Sequence, residues 1–153
     1  MWLKDDGGAE IKGSVDVKDR EGSIAIIGLS HGINLPVENS NGRITGTRQH
    51  SAMLIEKEVD RSTPYLYQAA TSGQTLKIAG IRFYHINNAG QEVCSYTVVL
   101  ENVKITGVPN VKLAGNDKMN HVESVSLQYE KITWRIAEGN IQYMDARNER
   151  NTA

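Results

Sequence analysis

The sequence predicts a mainly β domain carrying one short helix, and three observations predict it. Almost every apolar run alternates with period two, the signature of half-buried strands. A single segment, about Pro64–Ser72, has helical spacing and helix-end signals. The long strands also change phase partway along, which keeps their apolar residues on one side only if the sheet bends. Strong curvature of that kind favours a barrel or a tightly rolled sandwich.

The elements follow in order. Ile24-Ala25-Ile26-Ile27 opens a strand that can run through Leu29 to Ile33 and stop at Pro36. From Pro36 to Gln49 the chain is polar and glycine-bearing, with turn points at Asn41-Gly42 and Gly46. That is long for a tight hairpin connection, and loops of this length are often functional. A second strand covers His50 to Val59. Ser62 and Thr63 then offer hydroxyls to a helix start, Pro64 suits the first helical position, and Gly73 can take the left-handed cap. Leu66, Ala69 and Ala70 form a narrow apolar stripe.

Leu76 and Ile78 share one parity and Ile81 and Phe83 the other, so a bulge is expected at Gly80 between them. Asn87-Asn88-Ala89-Gly90 reads as a hairpin turn, followed by alternating Cys94, Tyr96, Val98 and Leu100. Val103 and Ile105 switch parity again. So do Ile132, Trp134 and Ile136 after Val125, Leu127 and Tyr129. The phase places Trp134 in the core with Ile132 and Ile136. Residues 140–153 read as a polar C-terminal tail that only Ile141, Tyr143 and Met144 can dock.

At 153 residues the chain is expected to form a single domain, residues 1–153, large enough for a core without disulfides or metals. A mean hydropathy of -0.42 and the lack of any apolar run near the ~20 residues of a spanning helix argue against membrane insertion. Net charge is -1, with 17 basic and 18 acidic residues spread along the chain, so no concentrated basic face marks a nucleic-acid binder. Met1–Asp6 lacks the apolar centre of a signal peptide, and cytoplasmic synthesis and folding are expected. Such a start is compatible with export by a machine that reads folded protein. The lone Cys94 reads as a small buried hydrophobe.

Catalytic and metal-binding patterns are weak. His31, His50, His85 and His121 lie in four separate segments without helical zinc spacing. Asp16, Asp19 and Glu21 lack the glycine and terminal glutamate of a calcium loop. Gly7-Gly8 and Gly28/Gly32 do not make a phosphate-binding fingerprint, and no glycine-framed nucleophile elbow is present. No catalytic residue, cofactor or metal site is therefore expected. Asp60 is assigned the acceptance of amide hydrogens before the helix, where its charge is favoured.

The segment His50–Gly73 resembles the signature of the haemolysin-coregulated protein (Hcp) family of type VI secretion systems: a His, a Lys, then Asp-x-x-Ser/Thr-Pro-x-Leu-x-x-Ala and a Gly. Those positions read His50, Lys57, Asp60, Thr63, Pro64, Leu66, Ala69 and Gly73. Two further blocks match in order: Gly13-Ser14-Val15-Asp16 with Gly22-Ser23-Ile24, and Glu123 to Trp134, which follows Glu-x-Val-x-Leu-x-Tyr-x-Lys-Ile-x-Trp.

The resemblance implies a rolled β-barrel of two curved antiparallel sheets with the helix on its flank. It also implies six-membered rings that stack head to tail into an inner tube, are exported with spike and sheath components, and can hold effector cargo in the lumen. The loop residues Asn39, Ser40, Asn41, Gly42, Arg43, Ile44, Thr45 and Gly46 are then expected at a subunit interface, His50 in a structural hydrogen bond that pins the long loop, and Asp60, Thr63, Pro64, Gly73 and Trp134 in structural roles. Only 19 residues follow Trp134, too few for an appended folded domain. The alternative is a β-barrel carrier for a small ligand or oligosaccharide; an enzyme of unassigned type ranks third.

Overall fold

The computed structural model describes residues 1–111 and 121–147. Its strands are β1 (Trp2–Lys4), β2 (Glu10–Ile11), β3 (Gly28–Ser30), β4 (Ile33–Asn34), β5 (Gln49–His50) and β6 (Met53–Glu58). After helix α1 (Thr63–Ser72) come β7 (Thr75–Ile86), β8 (Glu92–Gly107), β9 (Asn110–Val111), β10 (Val122–Gln128), β11 (Lys131–Ile136) and β12 (Ile141–Ala146). The protein is mainly β, and its strand pairs are antiparallel. The principal sheet runs β2-β1-β7-β8-β10-β6-β3, with β11 and β12 branching from β8, and β4 and β5 form a separate two-stranded sheet. The sheet curls but does not close into the expected barrel, because β8 is long enough to carry two successive partners, β10 and β11, along one side.

The three expected phase switches fall on one line across the sheet. On β7 the buried side chains pass from Leu76 to Ala79 and Ile81; on β8 from Leu100 to Val103; on β10–β11 from Leu127 and Tyr129 to Ile132. These positions are neighbours, since Leu76 opposes Val103, Ala79 opposes Leu100, and Leu100 also opposes Ile132. At the crease Asn102 takes a left-handed backbone conformation, φ 53°, and its side-chain amide donates to Glu130 Oε2 at 2.8 Å. The bulge expected at Gly80 is absent. Register between β7 and β8 shifts only at Phe83/Tyr84, and the change of face comes from local twist beside Asn102.

Other expectations also need correction. The run from Ile24 to Ile33 is not one strand: β3 pairs with β6, and the chain leaves the sheet at His31-Gly32 before β4. The stretch read as a tail contributes β12, paired with β11 from Ala146 to Ile141; residues 148–153 lie outside the described set. Trp134 packs against the core but is only half-buried, stacked on Tyr143 at 6.0 Å, and Ile136 is exposed. Cys94 is half-buried rather than enclosed. Gly13 is required by close approach, because a Cβ there would lie 2.4 Å from the Ser23 carbonyl oxygen.

Helix α1 lies against β8, burying Leu66 and Ala69, and Gly73 ends it at φ 67°. Its start differs from the expected hydroxyl caps. Neither Ser62 nor Thr63 bonds a first-turn amide of the helix. Asp60 Oδ1 instead accepts from the Ser62 amide at 2.9 Å and the Ser62 hydroxyl at 2.5 Å. Thr63 Oγ1 accepts from the Asp60 amide and donates to Glu123 Oε1 at 2.8 Å.

Beneath this turn sits Lys57, fully buried, on the inward side of β6 with Met53 and Ile55. Glu123, also fully buried, is directly opposite on β10. Lys57 Nζ donates to Glu123 Oε1 and to the Glu58 carbonyl, and lies 3.1 Å from Asp60 Oδ1. Glu123 Oε2 has no hydrogen-bond partner among the described residues.

Removing one member of a buried pair strands the other charge, at about 3–5 kcal/mol. Lys57→Met should lose stability of that order in denaturant unfolding. The double variant Lys57→Met/Glu123→Leu should recover most of it, because no uncompensated charge is left. Trp134→Ala, at a half-buried site, should stay soluble and lose less than the ~3 kcal/mol at the low end of core tryptophan truncations, measured the same way.

Candidate functional site: a projecting arm and its root

The stretch expected as a polar loop is a β-hairpin arm. β4 and β5 pair at its root, Ile33 opposite His50 and Asn34 opposite Gln49. Farther out, the Thr45 amide donates to the Pro36 carbonyl at 3.0 Å, Val37 and Ile44 form a bridge, and the Glu38 amide donates to the Arg43 carbonyl at 2.7 Å. The tip turns through Asn41 and Gly42, where Asn41 Oδ1 accepts from the Arg43 amide. The eight expected interface residues, Asn39 to Gly46, are this tip and its returning limb, all of them exposed.

The arm is less polar than its composition suggests. Ile33, Leu35 and Val37 alternate along one limb, and Ile44 opposes Val37 on the other. All four are exposed, between 43% and 59%. Directly opposed residues of an antiparallel pair share a face, so Val37 and Ile44 present a joint apolar surface. Contiguous exposed apolar groups on a hairpin without a core of its own make it a candidate contact surface.

Polar bonds hold the root. Ser51 Oγ accepts from the Gly32 amide and donates to the Gly32 carbonyl, at 3.0 and 2.8 Å. His50 is buried; its Nε2 lies 2.8 Å from Asp145 Oδ2 on β12 and its Nδ1 2.6 Å from the Tyr129 hydroxyl between β10 and β11. His31 Nε2 reaches the same hydroxyl at 2.7 Å. Arg48 donates from Nε to Asp145 Oδ2 at 2.5 Å and from Nη2 to the Ala146 carbonyl at 2.8 Å. Three arm residues, His31, Arg48 and His50, thus grip Tyr129 and the β12 backbone.

The electrostatics follow from this geometry. The Arg48 hydrogen bond, aided by that of His50, holds the Asp145 carboxyl below its ordinary value despite opposing burial. Burial, reinforced by the Asp145 charge and opposed by Arg147, raises the Tyr129 phenol to about 12. Burial and then repulsion from His50 lower the His31 imidazole. Asp145, being ionised, only accepts, so His50 carries its proton on Nε2 and offers Nδ1 to the Tyr129 O–H. Tyr129 oxygen then accepts from His31 Nε2–H. Every group in the chain is satisfied with both imidazoles neutral.

His50 lies at the arm root, bonded to Tyr129 and Asp145. His31, Arg48, Tyr129 and Asp145 were not anticipated as its partners, and Lys57 and Glu123 appeared only as positions in matching blocks. His85 and His121 are exposed and away from this cluster. Among the described residues, no group of three or more His, Cys, Asp or Glu side chains is placed to hold a metal ion. No described helix is long and apolar enough to cross a membrane.

Comparison with known proteins assigns the family. The sequence model for "Type VI secretion system effector, Hcp" matches residues 1–136. The "Major exported protein" of Pseudomonas aeruginosa is 32% identical over 126 residues, covering 80% of this chain and 73% of that protein. A tryptophan double mutant of the Hcp1 protein from E. coli EAEC 042 superposes with a TM-score of 0.87 at 53% identity, each chain covered to 95%. Secreted protein Hcp3 from Pseudomonas aeruginosa superposes at 0.76 with 25% identity, covering 95% of this chain and 96% of that one. The curled antiparallel sheet, the flanking helix and the anchored arm are therefore those of a secretion protein, and the chain belongs to the Hcp family of type VI secretion.

Proposed function

We propose that the protein is the repeating subunit of a type VI inner tube. As a single domain it forms six-membered rings that stack head to tail, are driven out of the cell with spike and sheath components, and can carry effector cargo in the lumen. The observation that carries this reading is the arm: a hairpin braced at its root by Tyr129 and Asp145, and presenting Ile33, Leu35, Val37 and Ile44 to solvent. A brace of buried hydrogen bonds is an unusual support for a limb with nothing to touch. A neighbouring subunit covering the stripe gives the brace its purpose and removes exposed apolar area from water, at about 25 cal/mol per Å².

Two further features support assembly. Among the described residues strand β12 pairs only with β11, and it offers Ile141 and Tyr143 at an open edge, at 66% and 62% exposure. Edges of this kind are normally covered or paired. The interior, in contrast, is occupied by side chains: Leu3, Ile55, Leu66, Leu100, Leu127 and Ile132 are fully buried. That filling favours a protein working through its outer surfaces over a carrier with a ligand inside. The chain acts by shape and interface rather than by turnover, folding in the cytoplasm before it leaves the cell.

Native mass of the purified protein tests the reading. A six-fold species is expected, and a monomer across the accessible concentration range would overturn it. Deleting residues 39–46 should leave a folded β protein that no longer supports export, measured as secreted protein in culture supernatant. Leu35→Asp with Val37→Asp should leave the melting temperature within a few degrees, since both sites are exposed, yet shift the native mass to the protomer. Retention of the ring by that variant would exclude the apolar stripe as an interface.

A further inference from the structure

The chain His31–Tyr129–His50–Asp145 contains two imidazoles on one phenol oxygen, at 2.7 and 2.6 Å, and its proton capacity is limited by that oxygen. With both rings neutral, hydrogen bonds run from His31 Nε2–H to Tyr129 oxygen, from Tyr129 O–H to His50 Nδ1, and from His50 Nε2–H to Asp145. One added proton is accommodated by reversal. His50 Nδ1–H then donates to Tyr129 oxygen, and Tyr129 O–H donates to His31 Nε2, whose ring carries its proton on Nδ1.

A second proton has no such solution. Both nitrogens become donors toward the same oxygen, the Tyr129 hydroxyl proton loses its acceptor in a site where Tyr129 is 3% exposed, and two cations face each other across one atom. An unsatisfied buried donor costs about 1–3 kcal/mol before the repulsion is counted. The surrounding charges do not offset this. Asp145, the carboxylate in the cluster, already accepts from Arg48 and His50, and Arg48 and Arg147 add positive charge from the arm root and the end of β12.

We propose that this chain is a proton-operated latch on the arm: it stays closed with up to one added proton, and the second expels His31 and loosens the arm at its root. His31 is the half-exposed member and sits where the chain leaves β3 for the arm, so its departure opens the root without exposing the core. The sign follows from linkage. A histidine lowered by its folded surroundings binds its proton less readily in the closed state. The latch is therefore fully held above the ordinary imidazole value near 6.5, and weakens as pH falls toward the lowered folded value. The consequence for rings rests on the tube reading; the latch itself does not.

Backbone amide exchange on the purified chain at about pH 7.5 and about pH 5 tests the latch, each rate corrected for intrinsic pH dependence. Amides of the arm, including Thr45, Glu38 and Ser51, should lose protection relative to those of β7 and β8, by no more than about tenfold per pH unit for a one-proton linkage. His31→Gln, which keeps a donor and an acceptor but does not titrate, should keep the arm protected at both pH values. Tyr129→Phe should loosen the arm already at the higher pH.

Equal arm protection at both pH values in the unaltered protein would overturn the latch, as would the same acid loosening in His31→Gln. Native mass of the same samples separates the two proposals. Acid loosening in a chain that forms no ring at either pH leaves the latch standing and removes the tube reading. An unchanged arm in a chain that does form rings removes the latch alone.

Discussion

Strand β8 has to keep an apolar face inward over 16 residues, about 50 Å of extended chain, while the sheet around it curls. A flat strand with strict alternation would carry one end of that face out of the core. The crease at Asn102 resolves the conflict by exchanging inward and outward parity between Leu100 and Val103. Because β7 and β10–β11 are in register with β8, they exchange at the same level. Much of the architecture follows: room for α1 against β8, the two partners on one side, and a branch that carries β12 to the arm root.

Two buried polar knots secure what the curled sheet alone does not fix. Lys57, Asp60, Thr63 and Glu123 set the angle at which α1 enters; Tyr129, His50, Asp145 and Arg48 set the direction of the arm. Apolar packing of equal volume would give as much stability or more. Hydrogen-bonded ions, however, accept few geometries. If, as proposed, the arm meets a neighbour's surface, it needs a defined direction more than additional stability.

The sequence made the β class, the α1 boundaries, the Gly73 cap, the Asn87–Gly90 turn and the three changes of phase legible, because each has a local cause in periodicity or backbone preference. The location of the bends was not legible. Gly80 looked like the bulge because glycine is permissive, whereas the twist sits at Asn102, a residue chosen by its bond to Glu130 across the sheet. The arm was read as a polar loop because Pro36 seemed to end the strand. The alternation Ile33, Leu35, Val37 passes through that proline and was the available signal. Of the arm root only His50 was anticipated, through resemblance; its partners Tyr129 and Asp145 lie 79 and 95 residues away, a separation that local pattern does not bridge. Lys57 at an inward position of β6, and Glu123 in phase with Val125 and Leu127, could have been read as a buried pair.

Those separations set an order of events during synthesis. Chains emerge from the N-terminus at about 5–20 residues per second, so the arm is made several seconds before Asp145 exists to hold it. Throughout that interval β4 and β5 have no anchor on β12, and Tyr129 arrives before its carboxylate neighbour. A nascent chain therefore displays an unbraced arm, and the arm acquires its direction only when β12 docks. Synthesis of β12 thus acts as a checkpoint for the aim of the arm: a product lacking β12 retains most of the core strands but not a correctly directed limb. Long-range closure of this kind slows folding, and here it ties the finished shape of the limb to the arrival of β12.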